Sequence, residues 1–249
     1  MNDLKSPQKI ISLVPSLTEL LFDLGLENQV TGRTRFCIHP EGKVDQVEIM
    51  GGTKNPRIDK IREAEPDLII VNKEENRKED VEALQKDFDV MVTDINTIED
   101  ALLTIHDIGK RCGVNEAAEE LASAIRKEYE SAPDEPQLTA AYMIWRDPWM
   151  TVGSDTYIHS VLSHWKLKNV FENQTRYPKT TLDELSNKNP DIILLSSEPY
   201  PFKEKHIKDV EKACPDCRVL LVDGEWFSWY GSRMLPSFRN LNSFRKAIS

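Results

Sequence analysis

The sequence is short of cysteine, of long apolar runs and of basic residues, and each shortage excludes a class of protein. Four cysteines in 249 residues are too few for the disulfide framework of a small secreted domain. No stretch approaches the roughly 18 consecutive apolar residues that a membrane span requires. Lysine and arginine total 32 against 42 aspartate and glutamate residues, which gives a formal net charge of -10. Nucleic-acid binding is therefore not expected, because it requires a basic surface.

The N-terminal segment also lacks the features of a secretory leader. Lys5 and Lys9 are basic and residues 10–17 are largely apolar, but Pro15 and Glu19 interrupt the segment. No small-x-small cleavage site follows it. The chain as written is therefore expected in the cytoplasm, and in the periplasm or at the cell surface if the native start lies upstream.

Segments rich in β-branched residues alternate with segments that carry helix-capping signals, and this alternation predicts an α/β fold with parallel sheets. The first helix is expected to begin at a capping box, Ser16-Leu-Thr-Glu19, and to end at Gly25. The predicted elements are strands over 10–14, 67–71 and 89–93, and helices over 17–24, from Pro56 to near Glu65, from Thr97 to near Gly113, and over 115–131.

An internal repeat divides the chain. Residues 58–71 align with residues 182–195, which lie 124 positions further on, and a Pro-Asp pair falls at the same place in both segments. The repeat predicts two similar α/β lobes, over 1–114 and 137–249. The connector, 115–136, is expected to hold a single long rigid helix, because its apolar residues recur at helical spacing without glycine or proline up to position 131. A ligand cleft between the lobes is expected at the carboxyl ends of the strands.

Aromatic and arginine side chains concentrate in the loops that follow the predicted strands, where four of the five tryptophans lie. Exposed aromatic patches usually mark binding sites, and guanidinium groups suit the polar edge of a large flat ligand. Four arginines each follow a different strand, and at least three of them are expected to point into one cleft between the lobes together with Trp226 or Trp229: Arg35, Arg146, Arg176 and Arg233. The alternatives are that the aromatic residues cap the sheet and that each arginine pairs with a nearby acid, such as Arg146 with Asp147 or Arg233 with Glu225. The candidate ligand contacts are Arg35, Phe36, His39, Trp145, Arg146, Trp149, Arg176, Tyr177, Glu198, Tyr200, Trp226, Phe227, Trp229, Tyr230 and Arg233.

The sequence shows no catalytic or metal-binding constellation. Its five histidines lack metal-ligand spacing, and no nucleophile elbow, P-loop or dinucleotide motif is present. Cys214 and Cys217 have the spacing of a redox pair or half a metal site, but a turn before a strand is the preferred interpretation. A non-enzymatic binding protein without intrinsic metal or cofactor is expected.

Five segments resemble the helical-backbone metal receptor superfamily, and within it the cobalamin-binding proteins of ABC importers. They are ISLVPSLTELL at 11–21, GG at 51–52, PDLII at 66–70, SSEPYPF at 196–202 and DGEWFSWYGSR at 223–233. The resemblance runs from about residue 10 to residue 245 and implies two α/β lobes linked by one long helix, with little hinge motion.

The resemblance further implies a monomer that binds cobalamin or a related corrinoid or metal chelate. It would serve as the substrate-binding component of an ABC-type uptake system or as a soluble corrinoid carrier. Such receptors dock on permease arginines through one acidic residue per lobe, for which Glu74 or Glu79 and Glu198 or Glu204 are the candidates. Two alternatives stay open: a cytoplasmic enzyme or chaperone of tetrapyrrole metabolism on the same fold, and an iron–siderophore or heme receptor.

Overall fold

Two sheets of parallel strands organise residues 6–249, the part of the chain that the computed structural model describes. Lys5, considered above as part of a leader, lies outside the described residues, as do the first positions of the predicted first lobe. The first compact unit contains the chain up to Ile95, residues 99–126 and residues 230–233. The second contains residues 96–98, 127–229 and 234–249. The predicted lobe boundaries, 1–114 and 137–249, stay a prediction.

The larger sheet lies in the first unit, and its strand order is β3-β2-β1-β6-β7 with every pairing parallel. A separate antiparallel pair, β4 and β5, follows β3. The strands are β1 (Ile10–Ser12), β2 (Val30–Arg33), β3 (Glu48–Ile49), β4 (Gly51–Gly52), β5 (Asn55–Pro56), β6 (Leu68–Asn72) and β7 (Val90–Thr93). The helices up to the end of the predicted connector are α1 (Pro15–Asp23), α2 (Ile58–Ala64), α3 (Lys78–Leu84), α4 (Ile98–Cys112) and α5 (Asn115–Glu130).

The second unit holds a four-stranded parallel sheet in the order β9-β8-β10-β11. Its central strand β10 is buried along its whole length, as a continuous apolar run between two helical layers should be. The strands are β8 (Leu138–Met143), β9 (Leu167–Asn169), β10 (Ile192–Ser196) and β11 (Arg218–Val222). The helices are α6 (Tyr157–His164), α7 (Leu182–Lys188), α8 (Glu204–Ala213), α9 (Glu225–Ser228) and α10 (Met234–Ala247).

The two units repeat one topology, which confirms the predicted α/β fold of two similar halves. The strand order β2-β1-β6-β7 corresponds to β9-β8-β10-β11. Helix α7 and strand β10 begin and end 124 positions after α2 and β6. The predicted connecting helix is α5, which begins in the first unit and ends in the second. Its rigidity stays a prediction.

The repeated Pro-Asp pair has the same structural role in both units. The Asp67 carboxylate accepts the backbone N–H groups of Gln8 and Lys9, at 2.8 and 2.9 Å, just before β1. The Asp191 carboxylate accepts the Thr139 amide at 2.7 Å and the Thr139 hydroxyl at 2.6 Å, in β8. These hydrogen bonds hold the pKa of Asp191 below its ordinary value. Asp67 thus connects the start of β6 to the start of β1, and Asp191 connects the start of β10 to the start of β8.

Two predicted helix starts are wrong. Helix α1 begins at Pro15, whose fixed φ suits the first helical position, so Ser16 lies inside the helix and no side chain caps it. Helix α2 begins at Ile58, because Asn55–Pro56 pairs with Gly51–Gly52 instead of starting the helix. The predicted turn between Cys214 and Cys217 is confirmed, since the Cys217 amide donates to the Cys214 carbonyl immediately before β11.

Among residues 6–249, no helix has the length and apolar character needed to cross a membrane. Within the same residues, no group of three or more histidine, cysteine, aspartate or glutamate side chains is placed to hold a metal ion.

Candidate functional site

The loop after β2, residues 34–40, carries three predicted ligand contacts and is called the Arg35 loop. The Phe36 ring is 53% exposed, and the Arg35 guanidinium lies 5.8 Å from its centroid. His39 is half-buried in the same loop. Ile38, which sequence reasoning missed, is also 53% exposed. The loop therefore presents one cation and two apolar side chains on the surface of the first unit.

The glycine pair of β4 allows this loop to approach the β4–β5 hairpin closely. The Arg35 amide donates to the Gly51 carbonyl at 2.9 Å. A Cβ atom on Gly52 would lie 3.3 Å from the Phe36 ring and would collide with the Asn55 side chain. Gly51 itself has a φ of 107°, in the region that favours glycine. The predicted Gly-Gly motif thus supports the exposed face of the Arg35 loop.

Asn76 is buried beneath this region, and only its place after a predicted strand could have marked it in the sequence. Its side-chain amide donates to the carbonyls of Leu13 and Thr53, at 3.2 and 3.0 Å. Its side-chain oxygen accepts the Asn72 amide at 2.8 Å. One buried side chain therefore joins the ends of β1 and β6 to the hairpin loop.

In the second unit, four aromatic residues that follow β8 and β10 form one group, called the Trp145 cluster: Trp145, Trp149, Tyr200 and Phe202. Trp145 is 40% exposed and meets Tyr200 edge-on at 5.6 Å. Trp149 stacks on the buried Phe202 ring at 5.7 Å, with 13° between the planes. Three predicted contacts are thus brought together, because β8 and β10 are neighbours in the sheet.

Arg146 and Arg176 each lie against an aromatic ring. The Arg146 guanidinium is 5.7 Å from the Trp149 centroid and also 3.1 Å from a carboxylate oxygen of Asp209. The pairing of Arg146 with Asp147, weighed as an alternative, is present at 3.8 Å. The Arg176 guanidinium is 5.7 Å from the Tyr177 centroid, and Arg176 is exposed.

The Arg176 segment adjoins the Trp145 cluster. Met150 forms β-bridges with both Trp145 and Lys179, and the Thr180 amide donates to the Trp149 carbonyl at 2.9 Å. Arg176 has a φ of 61°, which is uncommon for a residue with a side chain and is enriched at functional sites. These contacts place the segment of Arg176 and Tyr177 near the segment of Trp145 and Trp149 in the second unit.

Glu198 links the end of β10 to the segment after β11. One of its carboxylate oxygens accepts the Ser228 hydroxyl at 2.6 Å and the Trp229 indole N–H at 2.9 Å. Burial raises the pKa of Glu198, and the nearby negative charge of Glu225 adds to the rise, while the two hydrogen bonds oppose it. Glu198 thus holds Trp229 in place.

Residues 226–230 are more buried than an open loop would be, because residues 225–228 form the short helix α9. Phe227 is fully buried against Tyr142, at 5.0 Å between centroids, so its ring belongs to the core. Trp229 is 8% exposed and Tyr230 is similarly buried. Trp226 is half-buried and meets Phe244 of α10 at 6.4 Å. This arrangement favours the alternative in which these rings cap the sheet.

Arg233 of the first unit forms an ion pair with Glu19 of α1, a partner that the sequence did not indicate. The Arg233 Nε donates to a Glu19 carboxylate oxygen at 2.8 Å, and Nη2 contacts the other oxygen. Glu19 therefore serves this bidentate ion pair instead of the predicted capping box. That Arg35, Arg146, Arg176 and Arg233 share one cleft stays a prediction.

The four candidate docking acids differ in exposure. Glu79 and Glu204 are exposed in the first turns of α3 and α8, the helices that follow the corresponding strands β6 and β10. Glu74 is half-buried, and Glu198 makes the internal hydrogen bonds described above. Glu79 and Glu204 thus lie in the first turns of corresponding helices, one position apart in the register of the repeat.

The sequence of residues 10–213 matches the family described as periplasmic binding protein. This chain belongs to the periplasmic binding protein family. The match covers most of both units and confirms the resemblance drawn from the sequence, including the expected binding role.

Two curated relatives of this periplasmic binding protein cover nearly the whole chain. One is the uncharacterized ABC transporter substrate-binding lipoprotein YvrC of Bacillus subtilis, 27% identical over 95% of this chain and 79% of its own length. Another is the vitamin B12-binding protein of Pectobacterium carotovorum, 22% identical over 98% of this chain and 90% of its own length.

Two solved structures share the fold. The periplasmic vitamin B12 binding protein BtuF of Vibrio cholerae has a TM-score of 0.83 and 19% identity, and covers 97% of this chain and 98% of its own. The periplasmic heme-binding protein RhuT from Roseiflexus has a TM-score of 0.82 and 16% identity, and covers 97% of this chain and 99% of its own. They confirm the fold class predicted from the repeat.

Glu198 should make stability depend on pH. Because its pKa is raised in the folded protein, its stabilising contribution is present below about pH 4.5 and is lost as the pH rises through the folded pKa. The variant Glu198→Gln has no charge to bury and keeps an acceptor for Trp229. Relative to the unmodified protein, its free energy of unfolding should therefore increase as the pH rises from about 4.5.

Urea denaturation at several pH values measures this difference, with exposed Glu79→Gln as the control. Parallel profiles for Glu198→Gln and the unmodified protein would refute the expected coupling.

Proposed function

We propose that this periplasmic binding protein binds cobalamin or a related corrinoid without catalysing a reaction. The observation that carries the proposal is the combination of exposed rings and guanidinium groups, Phe36 with Arg35 and the Trp145 cluster with Arg146. The vitamin B12-binding relative of Pectobacterium carotovorum supports the choice of ligand.

The chemistry of the two surfaces suits a corrin. A corrin ring has broad apolar faces and a rim of amide side chains. Phe36 and Trp145 expose ring surface that packs on such a face, and the exposed guanidinium groups of Arg35 and Arg176 donate to amide oxygens at the rim. Of the remaining candidates, Tyr200 packs against Trp145, Trp149 stacks on Phe202, and Glu198 accepts a hydrogen bond from Trp229.

A heme receptor is the second candidate function. The heme-binding protein RhuT shares the fold, and His39 in the Arg35 loop offers an imidazole of the kind that ligates heme iron. A corrinoid is the main proposal because vitamin B12-binding proteins are similar to this chain in sequence as well as in fold.

The partner in this proposal is the permease of an ABC-type uptake system, as the YvrC relative suggests. Glu79 and Glu204 are the proposed docking acids, because each is exposed in the first turn of the helix that follows the corresponding strand of its unit. A chain in this role works as a monomer on the outer side of the cytoplasmic membrane. A soluble corrinoid carrier would use the same ligand contacts without the permease.

Separate titrations with three ligands test the proposal. Purified protein is titrated with cyanocobalamin, hemin and a ferric siderophore, each followed by its visible absorbance. Cyanocobalamin should bind at one equivalent and about tenfold or more tighter than the other two, and its spectrum should show no turnover. Leu103→Ala, which removes an exposed apolar side chain from α4, is the control for non-specific adsorption. Preferential saturation by hemin would replace the proposal with the second candidate, and catalytic conversion of the corrinoid would indicate an enzyme.

A further inference from the structure

We infer that Arg33 is a positioning residue for ligand binding, because its buried guanidinium holds the Arg35 loop in the conformation that exposes Phe36 and Ile38. The inference rests on the proposed function, in which this loop contacts the ligand. Arg33 itself has no exposed path to a ligand, since only 6% of it is accessible.

Arg33 is the last residue of β2 and donates to the backbone on two sides. Its Nη1 donates to the carbonyls of Thr34 and Cys37, at 3.3 and 3.0 Å. Its Nε donates to the carbonyl of Val47, at 3.2 Å. Its Nη2 lies 3.5 Å from a carboxylate oxygen of Asp45, which is largely exposed. One planar group therefore fixes the two ends of the turn at 34–37 to the segment before β3.

A second set of contacts closes the same turn from inside. The Cys37 amide donates to the Thr34 carbonyl at 3.2 Å, and the Phe36 amide donates to the Thr34 hydroxyl at 3.2 Å. The buried Cys37 thiol lies 3.1 Å from the Thr18 hydroxyl of α1 and 3.2 Å from the Thr34 hydroxyl. The Phe36 and Cys37 amides, the Thr34 hydroxyl and the Cys37 thiol thus all have partners inside the protein.

The consequence of this arrangement is preorganisation. These polar groups of the turn bond inward, whereas the Phe36 and Ile38 side chains are each 53% exposed. A loop already fixed in this conformation loses less entropy on binding. If the loop also populates other conformations, the apparent affinity falls in proportion to the fraction that is competent.

Lysine cannot replace this function. A guanidinium presents five donors in a planar fork, which allows Arg33 to reach Val47 on one side and Thr34 and Cys37 on the other. An ammonium keeps the charge but has three donors on a single nitrogen. Arg33→Lys therefore preserves the charge and most of the packing while removing the fixed geometry.

The test combines Arg33→Lys with Phe36→Ala and uses cyanocobalamin as the probe. Arg33→Lys should weaken cyanocobalamin binding by about tenfold, mainly through slower association, because fewer molecules hold the competent loop. The loss in the double variant should fall short of the product of the two single losses, since both changes act through one loop. The matched control is Arg62→Lys, an exposed arginine that pairs with Asp59 and Asp87 and should leave binding unchanged.

Amide hydrogen exchange gives a readout that does not depend on the ligand. Arg33→Lys should accelerate exchange across residues 34–40 while helix α1 exchanges as in the unmodified protein. Unchanged affinity of Arg33→Lys, fully multiplicative losses in the double variant, or unchanged exchange of the loop would each overturn the inference. Failure of the unmodified protein to bind cyanocobalamin, with faster loop exchange in Arg33→Lys, would instead overturn the proposed function and leave Arg33 with a structural role.

Discussion

Replacing Trp229 by alanine is expected to lower the free energy of unfolding by about 3–5 kcal/mol. The indole is 8% exposed, and its N–H donates to the Glu198 carboxylate at 2.9 Å. The substitution leaves a cavity and removes one donor from a carboxylate that burial already disfavours in its charged form. Urea denaturation of the purified variant measures the loss.

Trp145→Ala is the matched control for this prediction, since it truncates the same kind of side chain at a site that is 40% exposed. Its free energy of unfolding should change by less than about 1 kcal/mol, because Trp145 rests on Tyr200 at the surface. Full stability of Trp229→Ala together with lost ligand affinity would show that Trp229 contacts the ligand and not the core.

The same Trp145→Ala variant should have its main effect on binding. Loss of this ring is expected to weaken cyanocobalamin binding by about 1–3 kcal/mol, roughly 5- to 150-fold in Kd, in line with removal of an aromatic anchor. Isothermal titration of the variant and of the unmodified protein measures the difference. Leu103→Ala, on the exposed side of α4, should bind as the unmodified protein does. Equal affinity of Trp145→Ala and the unmodified protein would remove the Trp145 cluster from the site.

The topology could be predicted from the sequence because the two copies of the repeat support the same assignment of helix and strand. Residues 58–71 and 182–195 agree in length, in the Pro-Asp pair and in the apolar strand that follows. The aspartate of each pair binds the backbone at the start of a neighbouring strand, so its recurrence reflects a recurring contact. Helix starts were less predictable, since Pro15 and Ser16 both favour the first positions of a helix and only one can be the start.

The candidate site could be predicted only in part, because its interior contacts join residues far apart in the chain. Clustering of Trp145 with Tyr200 follows from two loops on neighbouring strands, which the pattern of strands already indicates. The bond from Trp229 to Glu198 and the carbonyl contacts of Arg33 depend on side-chain directions that no local signal encodes. The burial of Phe227 likewise follows from the short helix α9, which local sequence signals did not predict.

Retention of cyanocobalamin by the purified protein in equilibrium dialysis tests the central claim most directly. The proposed function predicts saturable retention at one equivalent per chain, reduced in Trp145→Ala and in Phe36→Ala and unchanged in Leu103→Ala. Retention that never saturates, or that is equal in all four proteins, would contradict the assignment of a corrinoid to these surfaces.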